Sequence, residues 1–180
     1  MHRKNEVIAN KGGLKSPLFL YFILRFNMNQ TAVKDIVDIA LALNESLYLI
    51  ELSISVNNKV QVVVDGDNGV SLSETMRISR AINDNFDREV EDFSLEVSTP
   101  DIAHPLKVKR QYIKNLNRIL KVKTEEEELE GTLVTADEDK IVLQWKAREP
   151  KPVGKGKVTV DKTATLEYTE IKEAKVKILF

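Results

Sequence analysis

The strongest constraint on this chain lies at residues 93–106. Phe93, Leu95 and Val97 alternate with Ser94, Glu96 and Ser98, the period-two pattern of a half-buried strand. Pro100 then ends the pattern and Pro105 follows before Leu106. Proline removes a backbone donor and pushes the residue before it toward extended conformation, so no regular element runs through such a stretch. Residues 99–107 are therefore expected to be a connector. They divide the chain into a first domain over 28–98 and a second over 108–180, preceded by a segment over 1–27.

Charge follows the same division. Residues 28–107 hold six Lys and Arg against fourteen Asp and Glu, residues 108–180 sixteen against thirteen, and residues 1–27 five against one. The net charge of −1 thus hides an acidic first domain and a mildly basic second one. Such a chain suits a partner carrying both signs, as a ribonucleoprotein does, and two solvated surfaces account for it equally. There is no cysteine, and His2 and His104 are far apart. Disulfide scaffolds, thiolate metal sites and thiol nucleophiles are excluded, and neither metal nor cofactor is expected.

Residues 1–27 open with Arg3, Lys4, Lys11 and Lys15, followed by an apolar run over 17–24. The pattern resembles a signal peptide without its small-residue cleavage site, and the run is well short of the roughly 20 residues that span a bilayer. The expectation is that Met28 is the natural initiator and 1–27 a loose tail or upstream-start extension, with a peripheral anchor over 18–24 as the alternative.

Val33, Ile36, Val37, Ala40 and Leu41 fall at helical spacing and predict a helix over 31–43. A strand is expected over 47–56, with Tyr48, Ile50, Leu52, Ile54 and Val56 on one face. Asn57 and Asn58 make a turn into a second strand over 60–64, forming a hairpin. Ser71 and Glu74 read as a capping box. The helix it opens is expected to bury Leu72, Met76, Ser79, Ile82 and Phe86 and to expose Arg77, Arg80, Asp84, Asp87 and Arg88. With the strand at 93–98, the order is helix, hairpin, helix, strand: an α/β layer. Past the connector come short strands at 120–122, 131–134, 141–145, 166–168 and 176–178, with a tight turn at 137–140. That spacing predicts a small β-barrel of the SH3 or Sm type and an α+β class for the whole.

No set of nucleophile, base and oxyanion donor can be assembled, so no enzyme is expected. Residues 65–69 look superficially like a calcium loop, but the twelfth position is Met76 rather than glutamate, and a turn is the better reading. Gly154 and Gly156 are followed by no phosphate-loop lysine pair or helix. His104 is a linker histidine, Ser71 and Ser73 are helix-start serines, and 125–128 is a solvated acidic loop. The basic groups are the candidate binding residues. Lys107, Lys109, Arg110 and Lys114 cluster beside Tyr112, Lys151, Lys155 and Lys157 lie on a glycine-containing loop, and Arg77 and Arg80 share a helix face. Lys and Arg on exposed backbone suit phosphate contact. Solvated surface explains them as readily, and pairing with Asp84 would occupy the two arginines.

Several segments combine into a family pattern. Asp65 with Gly69, Val70, Ser71 and Leu72, then Ile78-Ser79-Arg80-Ala81, form a loop and second helix. Leu95-Glu96-Val97-Ser98 with Pro100, then Pro105-Leu106, form a connector, and 171–176 closes the chain. Over about 28–180 this order resembles the bacterial ribosome maturation factor RimP family. The chain departs from the family at Asp101, where a glycine is usual, and at Ala103-His104, where an acid–base pair often stands. The resemblance implies a non-catalytic assembly factor that binds the immature small ribosomal subunit late in maturation. It implies an α/β layer followed by an Sm-like barrel. The implied partners are ribosomal RNA and a basic protein, the twelfth of the small subunit, with no small-molecule substrate and no membrane. A cytoplasmic monomer is expected. A general RNA-binding module without ribosome specificity and a membrane-tethered adaptor are the competing readings.

Overall fold

The computed structural model describes residues 29–87 and 92–178, so the expectations for 1–27, for Met28 and for Arg88 lie outside the described residues. Its N-terminal half runs α1 (Gln30–Ala42), β1 (Leu47–Ile54), β2 (Lys59–Gly66), α2 (Leu72–Asn85) and β3 (Ser94–Ser98). The strands form one sheet in the order β1-β2-β3. β1 and β2 are an antiparallel hairpin, while β3 lies parallel to β2, so α2 is the crossover between them. Asn29 caps α1 by accepting from the Ala32 amide at 2.8 Å. Asn58 takes the hairpin turn at φ 53°, a conformation asparagine tolerates.

Val60, Val62 and Val64 of β2 are fully buried in one core with Val33 and Val37 of α1 and Ile78 and Ile82 of α2. β1 does not present a single alternating face. A bulge between Leu49 and Glu51 shifts its register, so Leu49 before it and Leu52 and Ile54 after it pack on the core. One extra residue reverses the parity of a strand. Tyr48, opposite Asp65, and Glu51 consequently lie on the sheet face away from that core.

The stripe expected on α2 is also corrected. Leu72 and Met76 are 76% and 46% exposed, and the buried residues are Ile78 and Ile82, with Phe86 just past the helix. The Ile pair sits one turn apart over the sheet, and those β-branched side chains fill the space above the valines of β2. Ser71 caps the Glu74 amide at 3.3 Å. The capping box is not reciprocal, because the Glu74 carboxylate goes to Arg77 and Asn44 instead.

The C-terminal half begins with a helix that the sequence reading did not anticipate, α3 (Lys109–Lys114). Then follow β4 (Ile119–Lys123), β5 (Glu128–Ala136), β6 (Lys140–Pro150), β7 (Lys157–Glu167), a 3₁₀ turn at Tyr168–Glu170 and β8 (Glu173–Val176). All pairings are antiparallel in a five-stranded sheet ordered β7-β6-β5-β4-β8. The expected barrel is not closed: β7 and β8 are opposite edges and do not pair among the described residues. β7 spends its whole length on β6, and four-residue β8 pairs only with β4. The connector sits along β8, with the Leu106 amide donating to the Ala174 carbonyl at 2.8 Å. Leu120, Val122, Leu133, Ile141 and Leu143 form the fully buried centre of this half. Tyr168, expected to end a strand, turns into the 3₁₀ segment and packs edge-on against Tyr112, centroids 5.2 Å apart.

Candidate interaction surface

The basic cluster after the connector takes its geometry from α3. Gln111 is buried, and its side-chain oxygen accepts from the amides of Lys107 at 2.7 Å and Val108 at 3.3 Å, capping the helix from within. Buried Asn115 donates to the Gln111 carbonyl at 2.7 Å and closes the other end. Tyr112 faces the second core, where burial pushes its phenol up to about 12. With one face so anchored, Arg110 and Lys114 point at the first sheet.

There they meet the loop after β2. Arg110 makes a two-pronged ion pair with Asp67, Nε–Oδ1 2.9 Å and Nη2–Oδ2 2.6 Å, and Nη2 also donates to the Glu45 carbonyl at 2.6 Å. Its guanidinium lies 4.7 Å from the Tyr48 ring centroid, within cation–π range. Lys114 Nζ is 2.6 Å from Oδ1 of Asp65, which is only 6% exposed and also accepts from the Gly66 amide and the Tyr48 hydroxyl. Lys107 pairs with Glu51. Hydrogen bonding from Arg110 holds the Asp67 carboxyl below its ordinary value. Burial, then the Asp65 charge, raises the Tyr48 phenol. Residues 65–69 are thus a turn that receives α3. Among the described residues no three His, Cys, Asp or Glu side chains are grouped to hold a metal.

The loop is shaped for this. A Cβ on Gly66 would stand 2.6 Å from the Gly69 carbonyl oxygen and 2.8 Å from Leu47 Cδ2, and Gly69 adopts φ +85°. A cleft of about 200 Å³ lies beside it, lined by Asp65, His104, Lys114 and Arg118 among others. At Asp101, where the family pattern has glycine, the side chain accepts from the Ala103 amide at 2.9 Å and makes the turn locally.

The nine candidate cations therefore occupy four places. Lys107, Arg110 and Lys114 come together, each paired to an acid of the first half. Lys109 of α3 instead donates to the Glu138 carbonyl and lies 5.3 Å from the Tyr168 ring centroid. Arg77 and Arg80 do not pair with Asp84. Arg77 binds Glu74, with Nε at 2.8 Å, and donates to the Ala40 carbonyl at 2.6 Å, tying α2 to the end of α1. Arg80 is exposed and has no ion pair among the described residues. Lys151, Lys155 and Lys157 lie exposed at the β6–β7 turn. Sequence reasoning missed the acceptors Asp65, Asp67 and Glu51, which sit 49, 43 and 56 positions from their partners.

The fold and this surface define a mixed α+β protein of two sheet-based halves, latched to each other by charge. No helix among the described residues is long and apolar enough to cross a membrane. Comparison with known proteins gives the family. The RimP N-terminal domain matches residues 35–103. A ribosome maturation factor RimP of Christiangramia forsetii is 56% identical over 137 residues, 76% of this chain and 90% of that protein. The Flavobacterium psychrophilum protein of the same name is 44% identical over 148 residues, 82% of this chain and 96% of its own length. One from Porphyromonas gingivalis is 33% identical over 129 residues, covering 71% and 84%. The chain belongs to the ribosome maturation factor RimP family.

Proposed function

We propose that this protein is a ribosome maturation factor that binds the immature small subunit and assists its late maturation, without a chemical step of its own. The observation that carries the reading is the likeness to named ribosome maturation factors over 90% and 96% of their lengths. The match of 148 residues is longer than either half alone, so both halves belong to the working unit. The proposed arrangement is a monomer acting in the cytoplasm with no cofactor, divided at the 99–107 connector into domains over 28–98 and 108–180.

The acidic first domain is the proposed contact for a basic ribosomal protein, the twelfth of the small subunit. The cations of the second domain are the proposed contact for ribosomal RNA. Among the described residues Arg80, Lys109, Lys151, Lys155 and Lys157 have no carboxylate partner, and only Lys109, bonded to the Glu138 carbonyl, would give up a contact to reach phosphate. Arg77, Lys107, Arg110 and Lys114 would first exchange an internal acid for a phosphate. Removing this protein from its cell should raise the fraction of immature small subunits, with re-expression restoring the profile. An unchanged subunit profile would overturn the reading.

A further inference from the structure

β6 and β7 pair along eleven residues each, but β5 covers β6 only from Ile141 to Gln144. From Trp145 to Pro150, β6 pairs with nothing but β7. A two-stranded ribbon six residues long therefore extends about 20 Å past the sheet. Directly opposed residues share a face. Lys146 opposite Asp161, Arg148 opposite Thr159, and Pro150 opposite Lys157 lie on the outer face. Trp145, Ala147 and Val160 continue the core side and are half-buried. At the tip the Lys151 amide donates to the Gly156 carbonyl at 3.1 Å, so Lys151 and Lys155 lie in the turn that ends the ribbon.

Cations elsewhere are mostly neutralised: Lys34, Lys59, Arg77, Lys107, Arg110, Lys114, Lys121, Lys172, Lys175 and Lys177 all hold carboxylates. On the ribbon, Lys146, Arg148, Lys151, Lys155 and Lys157 have no ion-pair partner among the described residues. Lys162 pairs with Glu149 at 2.6 Å, on the core side. An isolated two-stranded ribbon is marginal in water. Asp161 opposite Lys146 can offset one cation of the outer face, and no acid stands opposite Arg148 or Lys157.

We infer that the outer face of the β6–β7 ribbon is a binding surface for the phosphate backbone of base-paired RNA. The inference rests on the ribosome-maturation reading and adds the site. Lys146 and Arg148, two residues apart on β6, stand about 7 Å from each other, Lys157 lies opposite Pro150, Thr159 and Thr163 add hydroxyl donors, and Asp161 opposite Lys146 is the one acid of the face. The face carries no aromatic side chain on which unpaired bases could stack, so a single strand is not its ligand. It also carries no large apolar anchor, the usual mark of a protein partner.

The test is binding of the full chain to a short RNA duplex, to a single strand of equal length, to polyglutamate and to immature small subunits. The triple variant Lys146→Gln, Arg148→Gln, Lys157→Gln is compared with wild type, its far-UV spectrum checking the fold. Wild type should prefer the duplex. The variant should lose at least about tenfold in duplex affinity, flatten the log affinity against log salt slope by about 2 to 3, and pellet less with subunits. Wild-type preference for polyglutamate or for the single strand would overturn the inference. So would a variant that keeps its duplex affinity and slope while wild type still pellets with subunits, and that result leaves the maturation reading standing. A wild type that binds duplex but not subunits, with the variant defective, supports the ribbon and overturns the maturation reading.

Discussion

Lys114 and Lys107 look alike in sequence, yet their partners differ in burial. The Asp65 side chain is 9% exposed and that of Glu51 is 46%. Removing a lysine from a nearly buried carboxylate strands that charge, whereas an exposed pair gains little over water. Lys114→Ala should therefore cost about 1–2 kcal/mol in urea unfolding and Lys107→Ala less than about 0.5 kcal/mol. Equal losses would contradict the assignment of Asp65. Asp67 gives a pH dependence. Arg110 lowers its carboxyl below the unfolded value, so the pair's contribution is complete above the unfolded value and fades as pH falls through the folded one. Docking of α3 should weaken in acid and stay constant from neutral to mildly alkaline pH. Carboxyl NMR should show Asp67 titrating low and returning to the ordinary range in Arg110→Ala; no return would remove Arg110 as the cause. None of these pairs was legible in the sequence, because each bridges residues more than forty positions apart.

At the scale of elements, periodicity carried the reading where local order decides the outcome. The first helix, the hairpin with its Asn58 turn, and β3 with the connector after it were legible because spacing and turn chemistry suffice for them. Periodicity failed where a neighbour decides. The bulge at Leu49/Glu51 depends on how β1 lies against β2, and it moves Tyr48 to the docking face. On α2, Ile82 and Phe86 are buried as the spacing predicts, but Leu72 and Met76 are exposed and Ile78 is buried instead, because spacing alone does not say which turns of the helix the sheet covers. Leu72→Ser should change stability by less than about 0.5 kcal/mol, while Ile78→Ala should cost about 2–5 kcal/mol. The reverse order in thermal denaturation would restore the sequence-based stripe. Helix α3 was missed because its six residues are too few for a pattern and its cap is the side chain of Gln111. Gly66→Ala should destabilise by at least about 1–3 kcal/mol, because the added methyl meets the Gly69 carbonyl and Leu47. A neutral result would mean the loop opens without loss.

For the whole molecule, two prolines and a change of composition mark the connector as the proposed division. How the two halves meet was not legible, since an acidic half and a basic half in one chain pair with each other before any partner arrives. Three of the fourteen acids behind the asymmetry that suggested a ribonucleoprotein, Asp65, Asp67 and Glu51, are taken up in these contacts. Among the described residues, the exposed cations without an ion pair are those of the basic β6–β7 ribbon together with Arg80, Lys109, Arg118, Lys123 and Lys140. The open sheet follows from the same ribbon: β7 runs out with β6 rather than returning to β8, so the barrel suggested by strand spacing does not close. Arg110→Ala with Lys114→Ala should release the halves and raise the radius of gyration in solution scattering while each core stays folded; an unchanged radius would mean the connector alone fixes their arrangement. The proposed function is recognition of the small subunit before it is finished. Co-sedimentation of the full chain with immature and mature small subunits, at low and moderate salt, tests it. Preferential pelleting with immature subunits that persists at moderate salt is expected. Equal pelleting with both, lost at moderate salt, would contradict it and leave only nonspecific electrostatic attraction to RNA.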